Sequence, residues 1–235
     1  MPMNPLANET CLRILDSESG TDFDPEPDPL ARLHADGAAK AYHRGQEIYR
    51  PEDPAEYWYR ILFGVARKCA LLADGRRQIV DFLLPGDLFG FAARRKRHFG
   101  VEAAVDGTLV IRYPRRQVEI LADSDNRVGR MIRNMAFEAN ARMQMRMLIL
   151  GRMTAVEKVG CFLTEMADRS SEGPSAPILL QMSRYDIADY LALSIETVSR
   201  ALSDLKRRGA ITINRKRHVI IADRKALGGL VAVGT

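Results

Sequence analysis

The chain has 235 residues, enough for two small domains, and its 46% hydrophobic and 28% charged residues are those of a globular protein. No run approaches the ~20 apolar residues of a membrane helix, and Met1-Pro2-Met3-Asn4-Pro5 lacks the basic start and apolar core of a secretory signal. The expectation is a cytoplasmic protein with no membrane partner.

The formal net charge of +5 is modest, but it is unevenly spread. The first 28 residues carry Glu9, Asp16, Glu18, Asp22, Asp24, Glu26 and Asp28 against Arg13 alone, whereas Arg200, Lys206, Arg207, Arg208, Arg215, Lys216, Arg217 and Arg224 crowd the C-terminal end. A basic end of this kind suits a polyanionic partner. Cys11, Cys69 and Cys161 are odd in number and far apart, which excludes a disulfide framework or a Cys-x-x-Cys metal site. The four histidines form no metal-ligand spacing, and no nucleophile motif appears. No catalytic residue, metal or cofactor is therefore expected.

Residues 1–28, acidic and proline-spotted, read as a disordered tail. Over 29–124, short β-prone runs alternate with turn signals. They are Ala41 to His43, Tyr57 to Phe63, Val65 to Leu72, Gln78 to Leu84, and Val101 to Tyr113 with a break at Asp106-Gly107. This spacing predicts a small antiparallel barrel or sandwich, with Asp74-Gly75 as a tight hairpin turn.

Over 125–153 the period becomes helical and proline is absent. Val128, Ile132, Met135, Ala139, Met143 and Leu150 form an apolar stripe, and Met131, Phe137, Met145 and Met147 lie off it. A helix with two apolar faces must be covered on both. Packing on its own barrel and on a second copy of itself satisfies this, so the stripe predicts a homodimer. A core helix of a larger single domain is the alternative.

Over 154–235 a second domain is expected. Thr154-x-x-Glu157 is a capping box opening a linker helix. Cys161, the one cysteine considered for redox control, falls on that helix's apolar side beside Phe162 and Leu163, where thiols are usually inert. Pro177 to Met182 reads as a strand. Ser183 and Ser194 are N-cap residues of two helices separated by a break at Ala192-Leu193, a helix-turn-helix whose second helix enters the DNA major groove.

That second helix buries Val198, Ala201, Leu202 and Leu205, leaving Ile195, Glu196, Ser199 and Arg200 as candidate base readers. Arginine can grip guanine O6 and N7, glutamate can accept from cytosine N4, and isoleucine methyls suit the thymine methyl. Glu196 and Arg200 are also, on the plainer view, an ordinary i, i+4 surface pair. Ser183, Arg184, Ser194 and Thr197 at the helix starts, with Lys216, Arg217 and His218 in a following hairpin, are candidate phosphate contacts.

These residues resemble the CRP/FNR family of bacterial transcription regulators, closest to its FixK-type branch. The resemblance runs from about residue 39 to 223 and rests chiefly on Ser183-Arg184-x-Asp186-Ile187-Ala188-Asp189-Tyr190-Leu191 followed by Glu196-Thr197-Val198-Ser199-Arg200. Leu84-Pro85-Gly86-Asp87-Leu88-Phe89-Gly90 adds weaker support. It implies an α+β fold: an N-terminal antiparallel jelly-roll of the cyclic-nucleotide-binding type, a long dimerisation helix and a C-terminal winged helix-turn-helix. It also implies a homodimer that bends double-stranded DNA, recruits RNA polymerase as an activator, and reads half-sites containing TTGA through Glu196, Ser199 and Arg200.

Three departures from the family pattern bear on the expectation. Ala192 stands where the inter-helix turn usually has glycine. The nucleotide-binding pair is missing: Gly86-Asp87 is followed by Ala92-Ala93-Arg94-Arg95-Lys96-Arg97-His98, a basic run that reads as a solvated loop or an anion site. Cys11 stands alone where oxygen-sensing relatives cluster cysteines for an iron–sulfur centre. The resulting expectation is an effector-independent regulator. The alternative is one gated by a small anion or nucleotide in the roll.

Overall fold

A computed structural model describes residues 30, 33, 38–92, 95–169, 177–214 and 218–227. The acidic tail expected over 1–28 and the hairpin tip with Lys216 and Arg217 lie outside them.

Eight strands build the first domain: β1 (Ala38–Tyr42), β2 (Glu47–Tyr49), β3 (Tyr57–Phe63), β4 (Ala66–Leu71), β5 (Arg77–Leu83), β6 (Leu88–Phe89), β7 (Gly100–Ala103) and β8 (Thr108–Pro114). They form two antiparallel four-stranded sheets, ordered β1-β8-β3-β6 and β2-β7-β4-β5. β2 and β6, absent from the sequence expectation, are too short to show a period. The Asp74-Gly75 turn joins β4 to β5 with Gly75 at φ +83°, a backbone conformation that costs glycine little.

The basic run after β6 does not form a solvated loop throughout. Arg97 is buried. Its guanidinium lies 3.9 Å from the Tyr49 ring centroid and 5.2 Å from that of Tyr59, and it donates to the Gly90 and Tyr57 carbonyls at 2.7 Å each. Tyr59 in turn stacks on Phe89. A cation can enter an apolar interior when π faces and carbonyls replace its water. Lys96 stays exposed and pairs with Glu52.

Two helices follow, α1 (Arg115–Ser124) and the long α2 (Asn126–Arg152). The expected dimer stripe on α2 needs correction at Val128. Val128 is fully buried in its own chain, packed with Trp58, Ile111, Tyr113 and Val118, and Ile132 and Met135 are partly buried in the same cluster. Val128 is thus taken up by the roll, on which Ile132 and Met135 rest one side. Ala139 and Leu150 are half-buried beside β5, whereas Met143 is 60% exposed and Phe137 64%. Met147 and Leu148 are exposed as well. A 3.6-residue period reveals two apolar faces but not which neighbour each one meets.

The C-terminal domain contains α3 (Ala155–Asp168), β9 (Ile178–Leu179), α4 (Arg184–Leu191), α5 (Ile195–Arg207), β10 (Ile211–Ile213) and β11 (His218–Ile221), then a 3-10 turn at Lys225–Leu227. The three strands form one antiparallel sheet, β10-β11-β9, the wing. Thr154 and Glu157 make the expected capping box. Cys161 does not point into the core: it is half-buried with its sulfur 3.5 Å from Met153 Sδ, and it lines a cleft between α2 and α3. No described helix is long and apolar enough to cross a membrane.

One apolar cluster spans both domains. Val65, Ile79, Phe82 and Ala104 of the roll pack with Phe162, Met166, Ile187 and Tyr190 of the C-terminal domain. β5 is an edge strand, and its carbonyls are covered by arginines of α2 and of the residue after α3. Arg146 donates to Val80 O at 2.6 Å and Ile79 O at 2.7 Å, and Arg169 donates to Phe82 O at 2.9 Å. Edge carbonyls left bare are costly or adhesive. Here guanidinium groups satisfy them.

Candidate nucleic-acid interface

α4 begins at a reciprocal cap. Asp186 N donates to Ser183 Oγ at 3.1 Å, while Asp186 Oδ2 accepts from Ser183 N at 3.1 Å and from Ser183 Oγ at 2.6 Å. The Ser183 N–H, expected to face phosphate, is thereby already engaged. α4 ends at Ala192, whose φ of 51° and ψ of 49° are left-handed. The turn therefore needs the positive φ that glycine would accept more easily, and alanine here costs roughly 1–2 kcal/mol. Leu193 N returns to Ala188 O at 3.0 Å and closes the turn.

α5 begins at Ser194, whose hydroxyl accepts from Thr197 N at 3.1 Å and lies 2.9 Å from Thr197 Oγ1. Its underside, Val198, Ala201, Leu202 and Leu205, is buried. That burial fixes the roll angle of the helix and therefore what the opposite face presents. Glu196 and Arg200, one turn apart, are both exposed. A hydrogen bond from its own backbone N–H, with help from the Ser194 hydroxyl and the Arg200 charge, holds the Glu196 carboxyl below its usual range. It is thus ionised and accepts only, as cytosine N4 requires.

The other predicted residues divide. Ser199 is half-buried, and its hydroxyl accepts from Arg184 Nη1 at 3.0 Å. Arg184 is exposed but tied to α5. Ile195 does not project freely into solvent: it is half-buried against the core and lines a groove with Met182, Tyr185 and Ile213. Ile213 and Val219 of the wing sheet line the same groove. Thr197 is half-buried beside its cap. His218 opens β11, its N–H donating to Asn214 Oδ1 at 3.1 Å, and the pair closes the hairpin base.

The basic surplus is partly neutralised, because Arg207 and Arg208 both pair with Asp204 and Arg224 pairs with Asp168. Sequence reading missed Tyr185, 67% exposed at the start of α4. It also missed a charged cluster behind α4, in which Arg67 and Arg77 of the roll meet Asp186 and Asp189.

An antiparallel roll joined by a long helix to a winged helix-turn-helix with an outward Glu–Arg pair defines a class of DNA-binding regulators. Residues 157–230 match the Crp-like helix-turn-helix domain, and residues 39–125 match the cyclic nucleotide-binding domain. The chain belongs to the CRP/FNR family of transcription regulators and is similar to its FixK-type members. It is 39% identical to the nitrogen fixation regulation protein FixK of Azorhizobium caulinodans over 211 residues, covering 88% of this chain and 85% of that one. It is 34% identical over 205 residues to the transcriptional activator protein FnrL of Cereibacter sphaeroides, covering 84% and 82%. FixK2 from Bradyrhizobium japonicum superposes with a TM-score of 0.76 at 39% identity, over 85% of this chain and 99% of that one.

Proposed function

We propose that the protein is a homodimeric transcription activator of the cytoplasm. It reads a twofold DNA site with TTGA-type half-sites, contacts RNA polymerase, and works without a cyclic nucleotide or iron–sulfur effector. The observation that carries this reading is the exposed Glu196–Arg200 pair, one helical turn apart and opposite the buried Val198, Ala201, Leu202 and Leu205. In a groove the two side chains address one G·C pair or two neighbours. Each α5 of the dimer would enter one of two successive major grooves, about 34 Å apart.

Arg184, Ser194, Thr197 and His218, with Lys216 and Arg217, would serve the phosphates, which position the protein without carrying sequence information, while Ser183, held by Asp186, would set the start of α4. The exposed Phe137, Met143, Met147 and Leu148 on α2 support pairing with a second copy, since that much apolar surface is costly in water. Effector independence is supported by the stack of Tyr49, Tyr59, Phe89 and Arg97, in which the roll's own side chains occupy the interior. Titration of labelled duplexes with and without TTGA half-sites tests the reading: selective binding supports it, and equal affinity for a scrambled duplex rejects it.

Gating by a small anion or nucleotide is a second reading. It is favoured by a cavity of about 480 Å³ between the roll and α2, where Lys68, Arg142 and Arg146 stand beside Asp81 and Glu165. Calorimetry with cyclic nucleotides separates the two, because gating requires micromolar binding that also changes DNA affinity.

A further inference from the structure

Where α4 packs against β5, the roll and the C-terminal domain share a charged cluster. Arg67 of β4 donates to Glu102 of β7 at 2.8 Å and to Asp186 Oδ1 of α4. Arg77 of β5 donates to Glu102 at 2.9 Å, to Asp186 Oδ1 at 3.3 Å and to Asp189 Oδ2 at 2.7 Å. Gln78, beside it on β5, donates to the Asp189 carbonyl. Arg67 is 7% exposed and Asp186 only 1%.

Ion pairs this deep give up so much hydration that apolar residues of similar volume often stabilise a fold as well or better. Their distinctive contribution is direction, because a guanidinium fork meets carboxylates at defined angles. Asp186 divides its two oxygens accordingly. Oδ2 closes the cap that starts α4, and Oδ1 is held by the roll. α5 packs on α4 and follows it after the short Ala192 turn, so a rotation of α4 against the roll redirects Glu196 and Arg200.

We propose that Arg67 and Arg77 are positioning residues for DNA reading, fixing through Asp186 and Asp189 the angle at which α5 projects from the roll. The inference rests on the dimer reading above, since the angle matters only when two α5 helices must meet two grooves at once. A single half-site makes no such demand. Loosening the cluster should therefore blunt the preference for half-site separation while leaving half-site affinity alone.

The test uses the full-length protein with either Arg77→Gln or Asp189→Asn. Both parent side chains are about one-third exposed, so water can solvate what remains. Asp189→Asn also leaves the Arg77–Glu102 pair in place. Anisotropy titrations would compare duplexes carrying two TTGA half-sites at the wild type's preferred separation, the same sites one base pair closer or farther, and a single half-site. Thermal midpoints are recorded alongside. Both variants are expected to lose about tenfold on the preferred separation, less on the altered ones, and nothing on the single half-site. An unchanged separation preference, or an equal loss on every duplex, overturns the proposal. If the wild type itself ignores TTGA sites at every separation, the functional reading fails instead.

Discussion

The Arg184 guanidinium donates to the Ser199 hydroxyl at 3.0 Å, joining the first turn of α4 to α5. Arg184 is exposed, so its charge remains open to a phosphate while its geometry is set by a residue of the neighbouring helix. Replacing Arg184 with alanine should weaken binding to all duplexes alike and lower the slope of log affinity against log salt by about one. Titrations at several salt concentrations check this, and a loss confined to one sequence would argue for base contact instead.

The left-handed Ala192 predicts a stabilising substitution. Ala192→Gly relieves the Cβ strain at φ 51° but also loosens the unfolded chain. The net gain should be about 0.5–1 kcal/mol, read from the midpoint of a urea titration. DNA affinity should not change, because residue 192 lies between the helices and not on the reading face.

Gly160 predicts the opposite sign. A Cβ added there would lie 2.0 Å from the Leu227 carbonyl oxygen, where the 3-10 turn Lys225–Leu227 packs on α3. Gly160→Ala should cost about 1–3 kcal/mol by forcing that backbone away. A urea midpoint equal to wild type would show that the turn yields freely.

These two positions show where sequence reasoning succeeds and where it stops. The inter-helix turn and both N-caps were legible because caps and turns are local chemistry. So was the underside of α5, since four aliphatic side chains at helical spacing permit one buried face. The clash at Gly160 was not legible, because Leu227 is distant in sequence. Asp186 illustrates both cases: its cap to Ser183 spans three residues, while its partners Arg67 and Arg77 lie 119 and 109 residues away. Arg97 escaped for another reason. A charge run normally stays in water, and only the assembled rings of Tyr49 and Tyr59 make burial tolerable.

Burial pushes the Cys69 thiol up to about 12 from an ordinary 9, with the Glu102 carboxylate adding to the effect. A raised thiol pKa means less thiolate at any given pH below it. At pH 8 the thiolate fraction of Cys69 should be roughly a thousandfold below that of an ordinary thiol, rising about tenfold per pH unit. Mass-resolved alkylation with iodoacetamide across pH 7–9 checks this. Rapid labelling of Cys69 in the folded protein would contradict the burial.

Whether Glu196 and Arg200 read bases is decided by comparing Arg200→Ala with wild type on matched and scrambled duplexes. A base-reading Arg200 gives a loss of about 1–3 kcal/mol on the TTGA duplex, relaxed selectivity at the G·C pair, and a much smaller loss on scrambled DNA. An equal loss on both duplexes would reduce Arg200 to a phosphate contact and rule out base reading by this pair.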